Sequence, residues 1–384
     1  MNQHSGTPQV RGWCPSASRP MLSGDGLLTT VRPFAGRLEH GQVLGLLDLA
    51  EAYAGGELTL TRRAGIQLRG ISERDWPAVR EGLHALRLDA TDTMHAGPRL
   101  LVSPFALPTS LSWRLGERLR PHLRDHADLP PKFTVVCDAG ATRDLASIPA
   151  DVRIERDADD DRLLLRLGNE PTGLAVETEH LHRSIDEVLT WFVTQRRPEH
   201  RRIAALLAEG SAPAGLLGAV PPAASSPKPP LGRHAMGTLL GAPFGVLEAP
   251  VLRTLVHDLG VKALRITPWR SLLLEEAANV ITEALLTHDA DPLVDVDACP
   301  GAPRCVQATV PTRPLARQLA RRLRPGGEGP SIHVTGCSKG CARSRPATLV
   351  CIGRSGHFDL VRDGRADDTP SLRGLSIEQL LQKT

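Results

Sequence analysis

The stretch Pro33-Phe34-Ala35-Gly36-Arg37-Leu38-Glu39 returns in the second half of the chain as Pro243-Phe244-Gly245-Val246-Leu247-Glu248. A strand-like run precedes each copy, residues 26–31 in the first and 237–241 in the second. A helical apolar pattern follows each, through Val43, Leu46, Leu47 and Ala50, and then over 251–259. The first copy continues with LTLT (58–61), IQLRGI (66–71) and a helix from about Asp75 to Leu88. The second continues with LRIT (264–267), Trp269-Arg270 and the apolar run 271–274. One single-residue gap and one shorter connection align the two. Chance produces a Pro-Phe match but not the ordered series, so the chain carries a duplicated unit. Each copy reads β-α-β-β-α, an α+β half-domain whose strands bury one face.

Between the copies, residues 99–102, 133–137 and 163–167 are buried-strand candidates. Residues 183–194 place Ile185, Val188, Leu189 and Phe192 on one helical face. The Pro/Ala/Ser-rich stretch 211–231 sustains neither a helix nor a central strand, and reads as an extended linker. Farther on, 332–334 and 348–352 are strand candidates, and Ser376 is placed to cap a last helix over 377–382. The expected organisation is a first half-repeat (15–90), an α/β lobe (91–210), the linker (211–231), a second half-repeat (232–288) and a second α/β lobe (289–384).

The 384 residues carry 46 Lys+Arg against 43 Asp+Glu, a formal net charge of +3. With 41% hydrophobic and 23% charged residues, wholesale disorder is excluded. No run approaches the roughly 18 apolar residues that span a bilayer. The N-terminal stretch lacks the apolar core of a secretory leader, and seven cysteines, an odd number, point to a reducing cytoplasm. Only five of the 46 cations are lysines, the signature of a GC-rich genome, so arginine abundance carries no special meaning. Acidic runs such as Asp157-Ala158-Asp159-Asp160-Asp161 interrupt the arginines, and the five Trp, one Tyr and six Phe leave little for base stacking. A nucleic-acid partner is not expected.

Four cysteines carry the chemistry: Cys299 and Cys305 as C-x5-C, then Cys337 and Cys341 as C-x3-C. Thiolates suit iron–sulfur clusters and zinc. A single zinc favours tight spacings near C-x2-C, because both sulfurs must lie about 2.3 Å from one ion. A cubane spreads its irons over separate corners and suits wider loops. Pro300, Gly301, Pro303, Gly336 and Gly340 let backbone amides approach the sulfides. A [4Fe–4S] cluster is the favoured reading, with zinc as the alternative. Cys14, Cys137 and Cys351 read as small packing residues.

The cysteine pattern and the tandem half-domains resemble the sirohaem-dependent sulfite and nitrite reductases. Arg63-Ala64-Gly65-Ile66-Gln67 resembles that family's first arginine motif, Gly97-Pro98-Arg99 its second, and Leu129-Pro130-Pro131-Lys132-Phe133 its Leu-Pro-x-Lys-Phe segment. The resemblance implies duplicated ferredoxin-like half-domains plus two α/β lobes, a nitrite/sulfite reductase-like fold. It implies a [4Fe–4S] cluster on Cys299, Cys305, Cys337 and Cys341, the last bridging to sirohaem in the reductases. It also implies a cationic seat of Arg63, Arg99 and Lys132, with Gln67 beside them, for a polycarboxylate tetrapyrrole.

One departure matters. The reductases carry a second basic residue two positions after the lysine, and Thr134 stands there. Local wording (Gly24-Asp25-Gly26-Leu27-Leu28, Thr267-Pro268-Trp269-Arg270 and 335–342) resembles a branch in which the tetrapyrrole is the substrate. That branch implies O₂-dependent hydroxylation of precorrin-3A, a mononuclear non-haem iron and NADH as ultimate electron donor. No G-x-G-x-x-G follows a strand, so a separate electron-donating reductase is expected. Among fourteen histidines no H-x-x-E or paired-His spacing singles out iron ligands, and none is named. A sirohaem-dependent sulfite or nitrite reductase is the alternative activity.

Overall fold

The structure, a computed structural model, describes residues 13–89, 98–126, 128–159, 162–210, 212–278, 280–324 and 326–384. Gly97 of the second arginine motif lies outside them. The first half-domain comprises β1 (Met21–Ser23), β2 (Gly26–Val31), β3 (Arg37–Glu39), α1 (His40–Tyr53), β4 (Glu57–Leu60), β5 (Ile66–Ile71) and α2 (Trp76–Ala85). The first lobe holds β6 (Arg99–Val102), α3 (Leu111–His122), β7 (Thr134–Asp138), β8 (Val152–Arg156), β9 (Leu163–Leu167), β10 (Leu174–Val176), α4 (Leu181–Gln195) and α5 (Ile203–Ala208). The second half-domain comprises β11 (Gly232–His234), β12 (Gly237–Gly241), β13 (Val246–Glu248), α6 (Ala249–Asp258), β14 (Ala263–Ile266) and β15 (Ser271–Glu275). The second lobe holds β16 (Val296–Ala298), α7 (Arg313–Leu323), β17 (Ile332–Thr335), β18 (Ala347–Arg354), β19 (His357–Gly364), β20 (Leu372–Leu375) and α8 (Ile377–Lys383).

The half-domain sheets run β1-β2-β5-β4-β13 and β11-β12-β15-β14-β3. Each half therefore lends a three-residue strand to the other's sheet, with Leu247 opposite Leu58 and Leu38 opposite Leu264. The preceding turns make this possible. Ala35 (φ 51°) with Gly36 (φ 70°), and Phe244 (φ 58°) with Gly245 (φ 82°), take the left-handed conformation and throw the chain across the interface. A Cβ on Gly36 would lie 2.2 Å from the Ile266 carbonyl oxygen, and one on Gly245 2.6 Å from that of Leu60. Only glycine fits either place. Leu38, Leu58, Leu60, Leu247, Leu264 and Ile266 then share one core with the inward faces of α1 and α6.

Two expectations need correction. The Pro-Phe pairs do not occupy equivalent positions, because the left-handed residues are Ala35 in one copy and Phe244 in the other. The second copy also lacks the closing helix of a β-α-β-β-α unit. In place of a helix like α2, the described residues after β15 run without helix and put Ala277, Val280 and Leu285 into the shared core, with Leu286 bridged to Gly241.

The lobes repeat one another as well. Their sheets run β10-β9-β8-β7-β6 and β16-β17-β18-β19-β20. The first three strands of each are parallel and the rest antiparallel. A helix joins the first strand to the second (α3, α7), and another follows the last (α4, α8). Extended chain within 211–231 lies along the first lobe, bridging Val220 to Gly173 and Pro222 to Asp157. No helix among the described residues is long and apolar enough to cross a membrane.

Gly36→Ala and Gly245→Ala should each destabilise the protein by about 2–4 kcal/mol, through left-handed strain plus steric overlap. Gly41→Ala, where nothing lies within 4 Å, should change stability by no more than about 1 kcal/mol. Urea denaturation of the three variants is the check; equal stability would remove the turn from its structural role.

Candidate active site

Both cysteine loops leave the C-terminal ends of neighbouring parallel strands, the usual place for a site in an α/β sheet. Cys299 directly follows β16, and Cys337 stands two residues after β17. Ala298 lies opposite Val334, so topology alone brings the loops together. The Gly336 amide donates to Cys299 Sγ at 3.1 Å. A Cβ on Gly336 would sit 2.4 Å from that of Ala308, and one on Gly301 (φ 69°) 2.8 Å from the Thr312 amide nitrogen. The loops stack backbone against side chain, with no room for anything larger.

Cys299 is buried, Cys305 and Cys337 are half-buried and Cys341 is an exposed residue. The protein crowding its thiol nevertheless pushes Cys341 up to about 11; Lys339 opposes this, and the neighbouring Cys337, Cys299 and Cys305 add to it. Burial likewise raises Cys337, against an amide bond from Lys339. Cys337 and Cys341 thus resist ionisation beside two further thiols, and the site calls for a cationic centre to hold them as thiolates. Among the described residues no three of these sulfurs lie within 4.8 Å of one another. Tetrahedral zinc needs its sulfurs about 3.8 Å apart. Four soft donors without a zinc-sized triad suit an iron–sulfur cluster better than a single zinc ion.

Each half-domain grips these loops with one arginine, from non-equivalent positions of its turn. Arg62 Nε, from the β4–β5 turn, donates to the Ala342 carbonyl at 3.0 Å. Arg270 Nη2, from the β14–β15 turn, donates to the same oxygen at 3.1 Å. Both guanidinium groups also pair with Asp297 in β16, which Arg343 meets at 3.1 Å. Burial works to raise the Asp297 carboxyl, but Arg62 and Arg270 outweigh it and hold it below the usual range. Burial also lowers Arg270 to about 10. His333, beside Asp297 in the sheet, is driven down to about 4, mainly by burial, and stays neutral. On the other side, Ser23 Oγ and Arg69 Nη2 donate to the Arg304 carbonyl inside the first cysteine loop, at 3.1 and 3.0 Å.

A cavity of about 880 Å³ opens beside this junction, at the large end for a small-molecule site. Arg63, Arg99 and Lys132 line it together, as the sequence suggests, and Lys339 reaches it from the second cysteine loop. Arg99 opens β6, and its buried Nη1 has no hydrogen-bond partner. Burial, with Arg32 and Arg63 close by, pushes its pKa well down. Burial and Arg63 lower Lys132, which also feels Cys341. Crowded, desolvated cations of this kind fit an anionic ligand. Gln67 is not brought into the lining; it lies on β5 and donates to Thr30 Oγ1 at 3.1 Å.

Sequence reasoning missed the roles of Arg62, Arg270 and Asp297, and the lining cations Arg201, Arg202 and Lys228. The repeat marks Trp269 as the counterpart of Arg63, but gives no signal for Arg62 or Arg270. Leu60 pairs with Ile66 as Ile266 pairs with Leu272, so the β4–β5 and β14–β15 turns superpose residue by residue. Thr61 Oγ1 accepts from the Gly65 and Arg63 amides, and Thr267 Oγ1 from those of Ser271 and Trp269. Arg63 therefore corresponds to Trp269, and Ala64 (φ 49°) to Arg270 (φ 58°). Both Arg63 and Trp269 line the cavity.

Residues 19–86 match the nitrite/sulfite reductase ferredoxin-like half domain. A protein of Sinorhizobium sp described as precorrin-3B synthase is 28% identical over an alignment of 403 residues, covering 94% of this chain and 84% of the relative. The solved structure of the Mycobacterium tuberculosis NirA protein has a TM-score of 0.63 at 19% identity, covering 91% of this chain and 77% of its own. The fold is nitrite/sulfite reductase-like.

Protein purified anaerobically should carry about four irons and four sulfides. Cys305→Ala or Cys337→Ala should abolish the visible absorption. Cys137→Ala should not, since that thiol is buried and donates to the Ser112 carbonyl. Stoichiometric zinc without iron would refute the assignment.

The depressed carboxyl of Asp297 also fixes a pH dependence. Its contribution is present above the ordinary aspartate pKa, about 4, and is lost as pH falls through the lower folded value. Asp297→Asn should cost about 3–5 kcal/mol at pH 7, because buried guanidinium groups lose their partner. The loss should shrink below pH 4; chemical denaturation at several pH values checks the sign.

Proposed function

We propose that this protein is a precorrin-3B synthase, an oxidoreductase that hydroxylates precorrin-3A at C20 with O₂ and forms a γ-lactone from the ring A acetate. The observation that carries this reading is the large cationic cavity meeting the second cysteine loop, in a chain similar to a precorrin-3B synthase over 94% of its length. A tetrapyrrole with carboxylates round its rim needs several cations and an apolar floor. Arg63, Arg99 and Lys132 supply the first and Trp269 contributes to the second. Arg99 Nη1 offers an N–H donor that no protein group takes. The Arg62–Asp297–Arg270 node fixes the backbone at Ala342 and so holds Cys341 at a set distance from the bound ring.

When bound on Cys299, Cys305, Cys337 and Cys341, a [4Fe–4S] cluster supplies electrons one at a time. The reaction places one oxygen atom in the product and releases the other as water, consuming two electrons and two protons. NADH is the ultimate donor, through a separate reductase, and a mononuclear non-haem iron completes the cofactor set in this reading. The work takes place in the cytoplasm.

The rival is sirohaem-dependent reduction of sulfite or nitrite. A small oxyanion needs several cations close together to offset its desolvation. Thr134 adds none; its hydroxyl donates to the Lys132 carbonyl at 3.0 Å. Arg62 and Arg270 do not replace it, being committed to Asp297 and Ala342.

With precorrin-3A, a reductant and ¹⁸O₂, the product should be heavier by one labelled oxygen. Arg63→Ala, Arg99→Ala and Lys132→Ala should each weaken precorrin-3A binding by about 1.5–3 kcal/mol, the scale of a charge-assisted hydrogen bond, with cluster content unchanged. Efficient sulfite or nitrite reduction with unaltered precorrin-3A would transfer the protein to the rival activity.

A further inference from the structure

Two imidazoles and a carboxylate converge on the helical layer of the first lobe, outside the cavity wall. His122 closes α3, and His126 follows one turn later through the 3-10 turn Leu123–Asp125. His122 Nε2 lies 2.8 Å and His126 Nε2 2.9 Å from the same atom, Asp186 Oδ1, which projects from α4. The three ligand atoms all lie within 4.8 Å of one another, and no other such group of His, Cys, Asp or Glu occurs among the described residues. His182, one turn before Asp186 on α4, stands outside that group, with its ring 4.7 Å from that of His122. All four side chains are half-buried.

We propose that His122, His126 and Asp186 form a binding site for a divalent first-row transition metal, with His182 as a fourth donor, pinning the end of α3 to α4. A simple ion pair joins two groups, whereas here two imidazole nitrogens converge on one carboxylate oxygen. Metal–ligand bonds of about 2.0–2.1 Å in tetrahedral geometry put donors about 3.3 Å apart. The present 2.8–2.9 Å separations need to open by only about half an ångström. Imidazoles with one carboxylate and no thiolate suit zinc, cobalt, nickel or ferrous iron.

The pairs His122-x3-His126 and His182-x3-Asp186 each have the spacing that puts two donors on one side of a helical turn. The expectation that no paired histidines stand out is corrected here: the pair straddles a helix end, where the pattern does not advertise a shared face. None of the four lines the cavity. The proposed metal would therefore stand outside the cavity lining, in a structural role joining α3 to α4.

The test uses full-length protein carrying its cluster, briefly treated with chelator, desalted and titrated with zinc in a calorimeter. One equivalent should bind. Zinc-edge X-ray absorption should show nitrogen and oxygen neighbours at about 2.0–2.1 Å and no sulfur at 2.3 Å. His126→Ala and the isosteric Asp186→Asn should each raise the dissociation constant more than the ten- to hundredfold typical of an outer-shell partner. His182→Ala should raise it by at least about tenfold, and cluster absorption in all three should match the parent, showing that the fold survives. Absence of zinc binding, sulfur in the zinc shell, or unchanged affinity in both His126→Ala and Asp186→Asn would overturn the proposal.

Discussion

Everything in this molecule depends on two glycines that let each half-domain reach across the other. Gly36 lies against the last carbonyl of β14 and Gly245 against that of β4, closer than any side chain allows. The strands that follow complete the opposite sheets. The two halves therefore cannot be separate domains joined by a tether, because each lacks an edge strand without its partner. Exchange also blunts the exposed edges that a lone four-stranded half would present. Its functional consequence is geometric: the β4–β5 and β14–β15 turns are carried to the same junction, where Arg62 and Arg270 meet on one aspartate and one carbonyl.

The sequence was legible where a pattern was local. Strand and helix periodicity located β2, α1, β5 and α6 to within a few residues, because each buries a face in a regular rhythm. The cysteine loops stood out for the same reason, four thiols in Gly/Pro-rich surroundings. It was illegible where burial runs against composition. β8 reads Val-Arg-Ile-Glu-Arg, an alternation that suggests a strand with one solvated face, yet Arg153 and Glu155 are fully buried. Arg166 meets Glu155 with two bonds of 2.8 Å, and Arg153 donates to the Gly168 and Leu145 carbonyls. Strand exchange left no trace either, since a three-residue strand looks the same whichever sheet it joins. Arg63, Arg99 and Lys132 were found by their motifs, whereas Arg62 and Arg270 do their work through a partner, Asp297, that lies far off in sequence.

Duplication sets up a symmetry that the side chains then break, and the breaking supplies the chemistry. The Ser103 amide donates to the Cys137 carbonyl at 3.3 Å just as the Cys299 amide donates to that of Val334 at 3.3 Å. Ser103 is thus the first lobe's counterpart of Cys299. It forms a 2.6 Å hydrogen bond to Asp144 where the other lobe has a thiol. Only one lobe carries the four soft donors. The other turns the opposite ends of its strands to the cavity, with Arg99 opening β6 and Lys132 just before β7. The half-domains diverge at the matching turn position, a guanidinium at Arg63 and an indole at Trp269.

The charges of the two lobes are complementary across this junction. Thiolate-ligated clusters are anionic sites, and the redox potential of such a site depends on net charge and on the hydrogen bonds around it. Lys132 of the first lobe senses Cys341 of the second, and Lys339 lies inside the cysteine loop itself. Cations that hold an anionic ring therefore also bear on the thiolates that would pass electrons to it. Under the proposed function, a polycarboxylate in the cavity would neutralise part of that field and so would favour electrons leaving a cluster held on these cysteines. In that reading, binding and electron release would be coupled through the same few basic side chains.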